Sequence, residues 1–189
     1  MRFKAAVIWL MLLATGYGLL GAPSAAPDSR YPIANSQTPR SQRGTVTQRV
    51  AATEISITYN RPVARGRELF GTLLRWGRMW HPGADSSTTV SFSKDVTIDG
   101  HALKAGSYTL WTIPQQPPKP WIIIFNRGIH NWHTAYPGES QDALRLTATP
   151  ETGAHMETLA YYFPMVDADS AVLRLHWGTT VVPMRIRAD

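Results

Sequence analysis

From Val46 onward, apolar and polar residues alternate with the period of a strand. Glu54-Ile-Ser-Ile-Thr-Tyr59 alternates cleanly, and Thr88-Thr-Val-Ser-Phe92 puts Val90 and Phe92 on one face. Val96 and Ile98 follow, and then Asp99-Gly100, a dipeptide that favours a tight hairpin turn. Ala105-Gly106 marks a second turn before an expected strand over 107–113. Trp121 to Phe125 is a continuous apolar run, WIIIF. Its shortness and β-branched content predict a central strand buried on both faces. Further strands are expected over 143–149, 156–163, 171–177 and 180–187, with Gly178-Thr179 placed to close the last hairpin. The best helical segment is 67–76, with Leu69, Phe70, Leu73 and Leu74. Gly66 and Gly71 flank and interrupt it, which allows one short helical turn. About 9–10 strands with Gly and Pro punctuation predict an all-β fold, an antiparallel β-sandwich or a jelly-roll-like barrel.

The N-terminus does not share this pattern. Arg2 and Lys4 precede an apolar run from Ala5 to Leu20, and a small-residue and proline segment ends near Ala26. Residues 1–26 therefore read as a secretory signal peptide, or as an uncleaved N-terminal anchor. The run is short for a membrane span, which needs about 20 residues. Residues 27–45 hold three prolines and many Ser, Gln, Asn and Arg without apolar period, and read as a disordered linker. Residues 46–189 read as a single domain.

The formal charge of +6 changes less than it promises. Arg2 and Lys4 belong to the expected signal, and residues 27–50 hold Arg30, Arg40, Arg43 and Arg49 against Asp28. Removing these from totals of 19 basic and 13 acidic side chains leaves 13 and 12. A near-neutral domain has no field to draw in a polyanion, so no nucleic-acid partner is expected. The basic linker suits a weak membrane tether. The chain has no cysteine, which excludes disulfides, thiol nucleophiles, thiolate metal sites and lipidation through cysteine. The expected location is outside the cytoplasm, periplasmic or extracellular.

Four constellations carry candidate chemistry. In the stretch from Trp76 to Lys94, His81-Pro-Gly-Ala-Asp85 could orient a general base or a metal ligand, with His81 and Asp85 as the catalytic candidates. The simpler alternative is Asp85 capping turn N–H groups beside a rim histidine. His130 and His133 stand three residues apart in a long loop, 126–142, and with His81 they are the metal candidates. No HExxH pattern supports them, and a Trp-anchored loop with exposed histidines is the plainer reading. Arg61, Arg65, Arg67, Arg75 and Arg78 could line an anionic pocket, or pair with Asp85, Glu139 or Asp142. Tryptophans are numerous. Trp111, Trp121 and Trp177 fall in strand patterns and read as core, whereas Trp80 and Trp132 fall in loops. The candidate ligand-binding set is Trp80, His81, Asp85, Arg61, Arg67, Asn126, Trp132, His133 and Tyr136. No nucleophile elbow, phosphate loop, dinucleotide fingerprint or calcium loop occurs, and no cofactor is expected.

Several short motifs, in this order and spacing, resemble a known family. They are Ile57-Thr-Tyr-Asn-Arg61-Pro62, Gly66-Arg67-Glu-Leu-Phe70-Gly71, and Trp80-x-x-Gly83-Ala84-Asp85 with Thr88-Thr89. Ala105-Gly106-Ser-Tyr108-Thr-Leu110, Ile113-Pro114, Trp121-x-x-x-Phe125-Asn126, Asp142-x-x-Arg145 and Glu157 continue them. Over about residues 53–187 the chain resembles domain-of-unknown-function family 2911, a set of exported bacterial proteins. The resemblance implies export and one domain, and no reaction. Where the family usually has Trp-Arg-Thr-Gly-Ala-Asn, this chain has Trp80-His81-Pro82-Gly83-Ala84-Asp85. Where the family tends to have Trp-Gly, it has Trp132-His133. The expected function is a non-catalytic module binding a glycan or envelope component. The alternatives are a hydrolase or metal-dependent enzyme on His81, Asp85, His130 and His133, and a structural module without ligand.

Overall fold

The computed structural model describes residues 41–129 and 135–188. The expected signal or anchor (1–26), most of the linker (27–40), and His130, Trp132 and His133 lie outside the described residues. Among the described residues ten strands form: β1 Gln42–Val50, β2 Thr53–Arg61, β3 Thr89–Phe92, β4 Val96–Ile98, β5 His101–Leu103, β6 Gly106–Ile113, β7 Trp121–Asn126, β8 Asp142–Ala148, β9 Glu151–Val166 and β10 Ser170–Ala188. One 3-10 turn covers Glu139–Gln141.

Period-two alternation becomes two facing layers. A six-stranded antiparallel sheet runs β1-β2-β3-β6-β7-β8, and a four-stranded sheet runs β5-β4-β10-β9. The sheets do not close into a barrel. Ile55, Ile57, Val90, Phe92, Leu110, Ile123 and Phe125 from the first sheet meet Leu159, Tyr161, Leu173, Leu175, Met184 and Ile186 from the second in one core. Strand β7 lies between β6 and β8, and its Ile123 and Ile124 are both fully buried though they face opposite sides. That is the position expected from an uninterrupted apolar run. At Asp99-Gly100 both residues take positive φ, 47° and 83°, in the turn between β4 and β5.

The structure departs from the pattern in three places. Strand β1 starts at Gln42, inside the segment read as linker to 45, because Gln42–Thr45 pair with Thr58–Arg61 of β2. Residues 67–76 make no helical turn. Gly71 takes φ 99°, Phe70 and Leu74 form an isolated bridge, and Leu74 N donates to Leu69 O at 2.7 Å. The apolar side chains there serve tertiary packing, with Phe70 and Leu74 against the core. Finally, 170–188 is strand throughout, without a break at Gly178-Thr179. A straight strand of that length would span about 60 Å. Yet its ends meet: Ala188 N donates to the Asp169 carbonyl at 2.8 Å and Arg187 pairs with Asp169. The run therefore doubles back near Gly178 (φ 59°), and β9 follows with register shifts on both sides of that glycine.

Candidate functional site

The loop before β3 is tied down from several sides. Trp80 and Thr112 exchange both backbone hydrogen bonds, at 2.8 and 2.7 Å, which zips the loop to the end of β6. The Pro82 carbonyl accepts from Thr88 Oγ1 at 2.9 Å and from Tyr161 Oη at 2.8 Å, and both donors are buried. Burial, and then the neighbouring Tyr59, push the Tyr161 hydroxyl well above its ordinary pKa. Gly83 lies against Asn60 and Thr88, and a Cβ there would sit 2.6 Å from Thr88 Oγ1. Pro82 and Gly83 are buried, whereas His81 and Asp85 are half-buried beside them. Asp85 holds φ 58°.

His81 and Tyr136 converge on one indole. The His81 ring is 5.6 Å from Trp111, edge-on, and the Tyr136 ring is 5.5 Å from it, also edge-on. One residue from each of the 76–89 and 126–142 loops thus packs on the same tryptophan. Trp111 belongs to the outer face of the six-stranded sheet and is still 3 % exposed, so it is covered rather than presented. Beneath the loop, Trp111 Nε1 donates to Thr109 Oγ1, which donates to Gly128 O. Asn126 is fully buried. Its amide donates to Gly138 O and to Asp142 Oδ1, and its oxygen accepts from Gly128 N. Asp142 also accepts from the Tyr136 hydroxyl at 2.6 Å and from Arg145 at 2.9 Å, and Arg145 reaches Glu139. Burial, then the hydrogen bond to Asp142, raise the Tyr136 pKa. This is a self-paired polar knot that pins both ends of the loop.

A second concentration of rings lies under the 62–80 segment. Phe70 sits 4.9 Å from Trp121, 6.1 Å from Trp80, 6.2 Å from Trp76 and 6.3 Å from Trp177, and Trp80 stacks on Trp177 at 6.0 Å. Two clefts open beside this nest, of about 330 and 350 Å³. One is lined by Trp80, Leu74 and Pro62 and the other by Trp76, Phe70 and His155. Arg67 and Trp177 line both. Arg67 donates from Nε to Ala64 O at 2.8 Å and from Nη2 to Val63 O at 2.6 Å. Glu157 lies alongside. Its carboxylate accepts from His155 and from Arg65 N, and these bonds, in that order, hold its pKa below the usual range.

The sequence-derived set is therefore split. His81, Asn126 and Tyr136 gather around Trp111. Trp80 and Arg67 line the clefts, with Arg61 donating to Leu159 O. The expected arginine–carboxylate pairs take another form: Arg145 occupies Asp142 and Glu139, while Arg61 and Arg67 bond backbone carbonyls. Trp76, Trp177 and His155 were not among the candidates; Trp177 sits in a strand pattern that gives no hint of a cleft. A larger groove, about 770 Å³, runs along the outer face of the second sheet past Arg174, Arg185 and Arg187. No aromatic ring lines it, and Arg174 and Arg187 pair with Glu151 and Asp169. Among the described residues no group of three or more His, Asp or Glu could hold a metal.

The family model described as Protein of unknown function (DUF2911) matches residues 41–186. No curated protein matches the chain, and no solved structure matches it.

Proposed function

The chain belongs to the DUF2911 family, and on that premise we propose that it is an exported, non-catalytic β-sandwich that binds a glycan or other extended envelope component in the cleft pair beside the Phe70 nest. The single observation that carries this reading is the junction of the two clefts at Arg67 and Trp177, with Trp80 lining one and Trp76 the other. Indole surfaces flank both spaces, and each cleft has the volume of a ring-sized ligand unit. At the junction Arg67 Nε and Nη2 are committed to two carbonyls, and beside it Glu157 is committed to His155 and a backbone N–H. That arrangement supports holding a ligand rather than transferring its protons. Export is supported by the basic, then apolar, N-terminal layout.

The test is a glycan array and a pull-down with isolated cell-wall material. Trp76→Ala should lower binding about tenfold, the scale of one lost aromatic contact. Unchanged binding by Trp76→Ala, in a variant with wild-type melting behaviour, sinks the proposal. A ligand-free structural module is the second reading. It is favoured by the Asn126–Asp142–Tyr136–Arg145 knot, whose polar groups satisfy one another.

A further inference from the structure

The walls of the two clefts carry basic side chains. Arg65, Arg67 and His155 line them, and no carboxylate does. Glu157, an acid beside the clefts, has one oxygen on Arg65 N at 2.6 Å and the other on His155 Nε2 at 2.9 Å. Both of its oxygens are thereby engaged, although its charge still feels Arg67. The Arg67 guanidinium is held in place by the Val63 and Ala64 carbonyls. Those carbonyls are fixed in turn, because Ala64 N donates to Glu157 O at 2.7 Å and Val63 bridges Thr158 on β9. Most surface arginines lose rotamer entropy when they grip an anion. Here that entropy is lost on folding, and the Nη1 group keeps its donors unbonded among the described residues.

A fixed guanidinium between two indole-lined spaces, with no competing acid in the walls, fits a ring that carries a negative charge. We propose that the cleft pair selects acidic glycans, with a sugar carboxylate taken by Arg67 and the adjoining rings laid along Trp76 and Trp80. This rests on the cleft reading of the preceding section and adds the ligand class to it.

The matched probes are an oligogalacturonate and its fully methyl-esterified form, which keep the same rings and differ in charge. In calorimetric titration of the full chain the acid form should bind about tenfold more tightly than the ester, the scale of a charge-assisted hydrogen bond. Added salt should erode that preference and leave ester binding unchanged. Arg67→Lys keeps the positive charge but loses the carbonyl-anchored fork, and should lose most of the preference. Arg67→Ala should lose all of it. If wild-type protein binds acid and ester equally at low salt, the acidic selection is wrong while the glycan cleft stands. If neither probe binds and the glycan array is silent, both fall. The wild-type salt series keeps the question open to refutation even where an Arg67 variant fails to fold.

Discussion

At the scale of single residues, the loop before β3 is held by groups that admit no substitute. A Cβ on Gly83 would meet Thr88 Oγ1 at 2.6 Å and Asn60 O at 3.2 Å. Gly83→Ala should cost about 1–3 kcal/mol, the range for overpacking, and a denaturant midpoint would register it. Tyr161 supplies the other clamp on Pro82. Tyr161→Phe should cost about 1 kcal/mol by removing one of the two hydrogen bonds to the Pro82 carbonyl, which keeps its Thr88 bond. Asp142, 10 % exposed, accepts from Asn126, Tyr136 and Arg145. Asp142→Ala would leave an N–H of the fully buried Asn126 amide without its acceptor, and a loss of about 2–3 kcal/mol is expected in thermal unfolding. In these contacts residue types read as candidate chemistry pack on and pair with one another. A histidine edge-on to Trp111 and a tyrosine on a carboxylate look alike in sequence whether they face a ligand or one another.

Among the elements, β9 and β10 carry the geometry that places the clefts. Gly178 lies at the bend, with φ 59° and Leu69 Cδ1 2.9 Å from where a Cβ would stand. Gly178→Ala adds left-handed strain of about 1–2 kcal/mol to that clash. It should also push Leu69 and Trp177 apart, so the measurable outcome is lower stability together with altered tryptophan fluorescence. Little of this element was legible in the chain. Two short strands and a Gly-Thr turn were the natural reading of 171–187. The turn residue was identified correctly, but Gly178 and Thr179 themselves continue the strand, because β9 bends round and pairs with Gly178 and Thr180. Residues 67–76 show the opposite case. The spacing of Leu69, Phe70, Leu73 and Leu74 resembles a helical face, yet Phe70 is drawn into four aromatic contacts that a helix would not serve.

For the molecule as a whole, the described residues belong to one compact unit with a single core spanning both sheets. A fragment covering 41–188 should therefore unfold in one cooperative transition, with fluorescence and circular dichroism coinciding, and separate transitions would contradict a shared core. Its stability should fall at alkaline pH. Burial raises the Tyr161 pKa well above the unfolded value near 10, so the folded state holds that proton more tightly. This contribution is complete below about pH 10 and is lost as pH rises past it, and Tyr161→Phe should flatten that decline. What the chain determined by itself was local and periodic. Alternation gave the strands and their buried faces, Asp99-Gly100 gave a turn, and the WIIIF run gave the central strand, because each depends on neighbours within a few residues. The motif order identified the family for the same reason. What only tertiary structure decided was the pairing of distant groups: Arg67 with Trp76, Trp80 and Trp177 around two clefts, and His81 with Tyr136 around a covered Trp111. Those neighbours are set by how two sheets stack and where β10 turns back, and no spacing along the sequence encodes that distance.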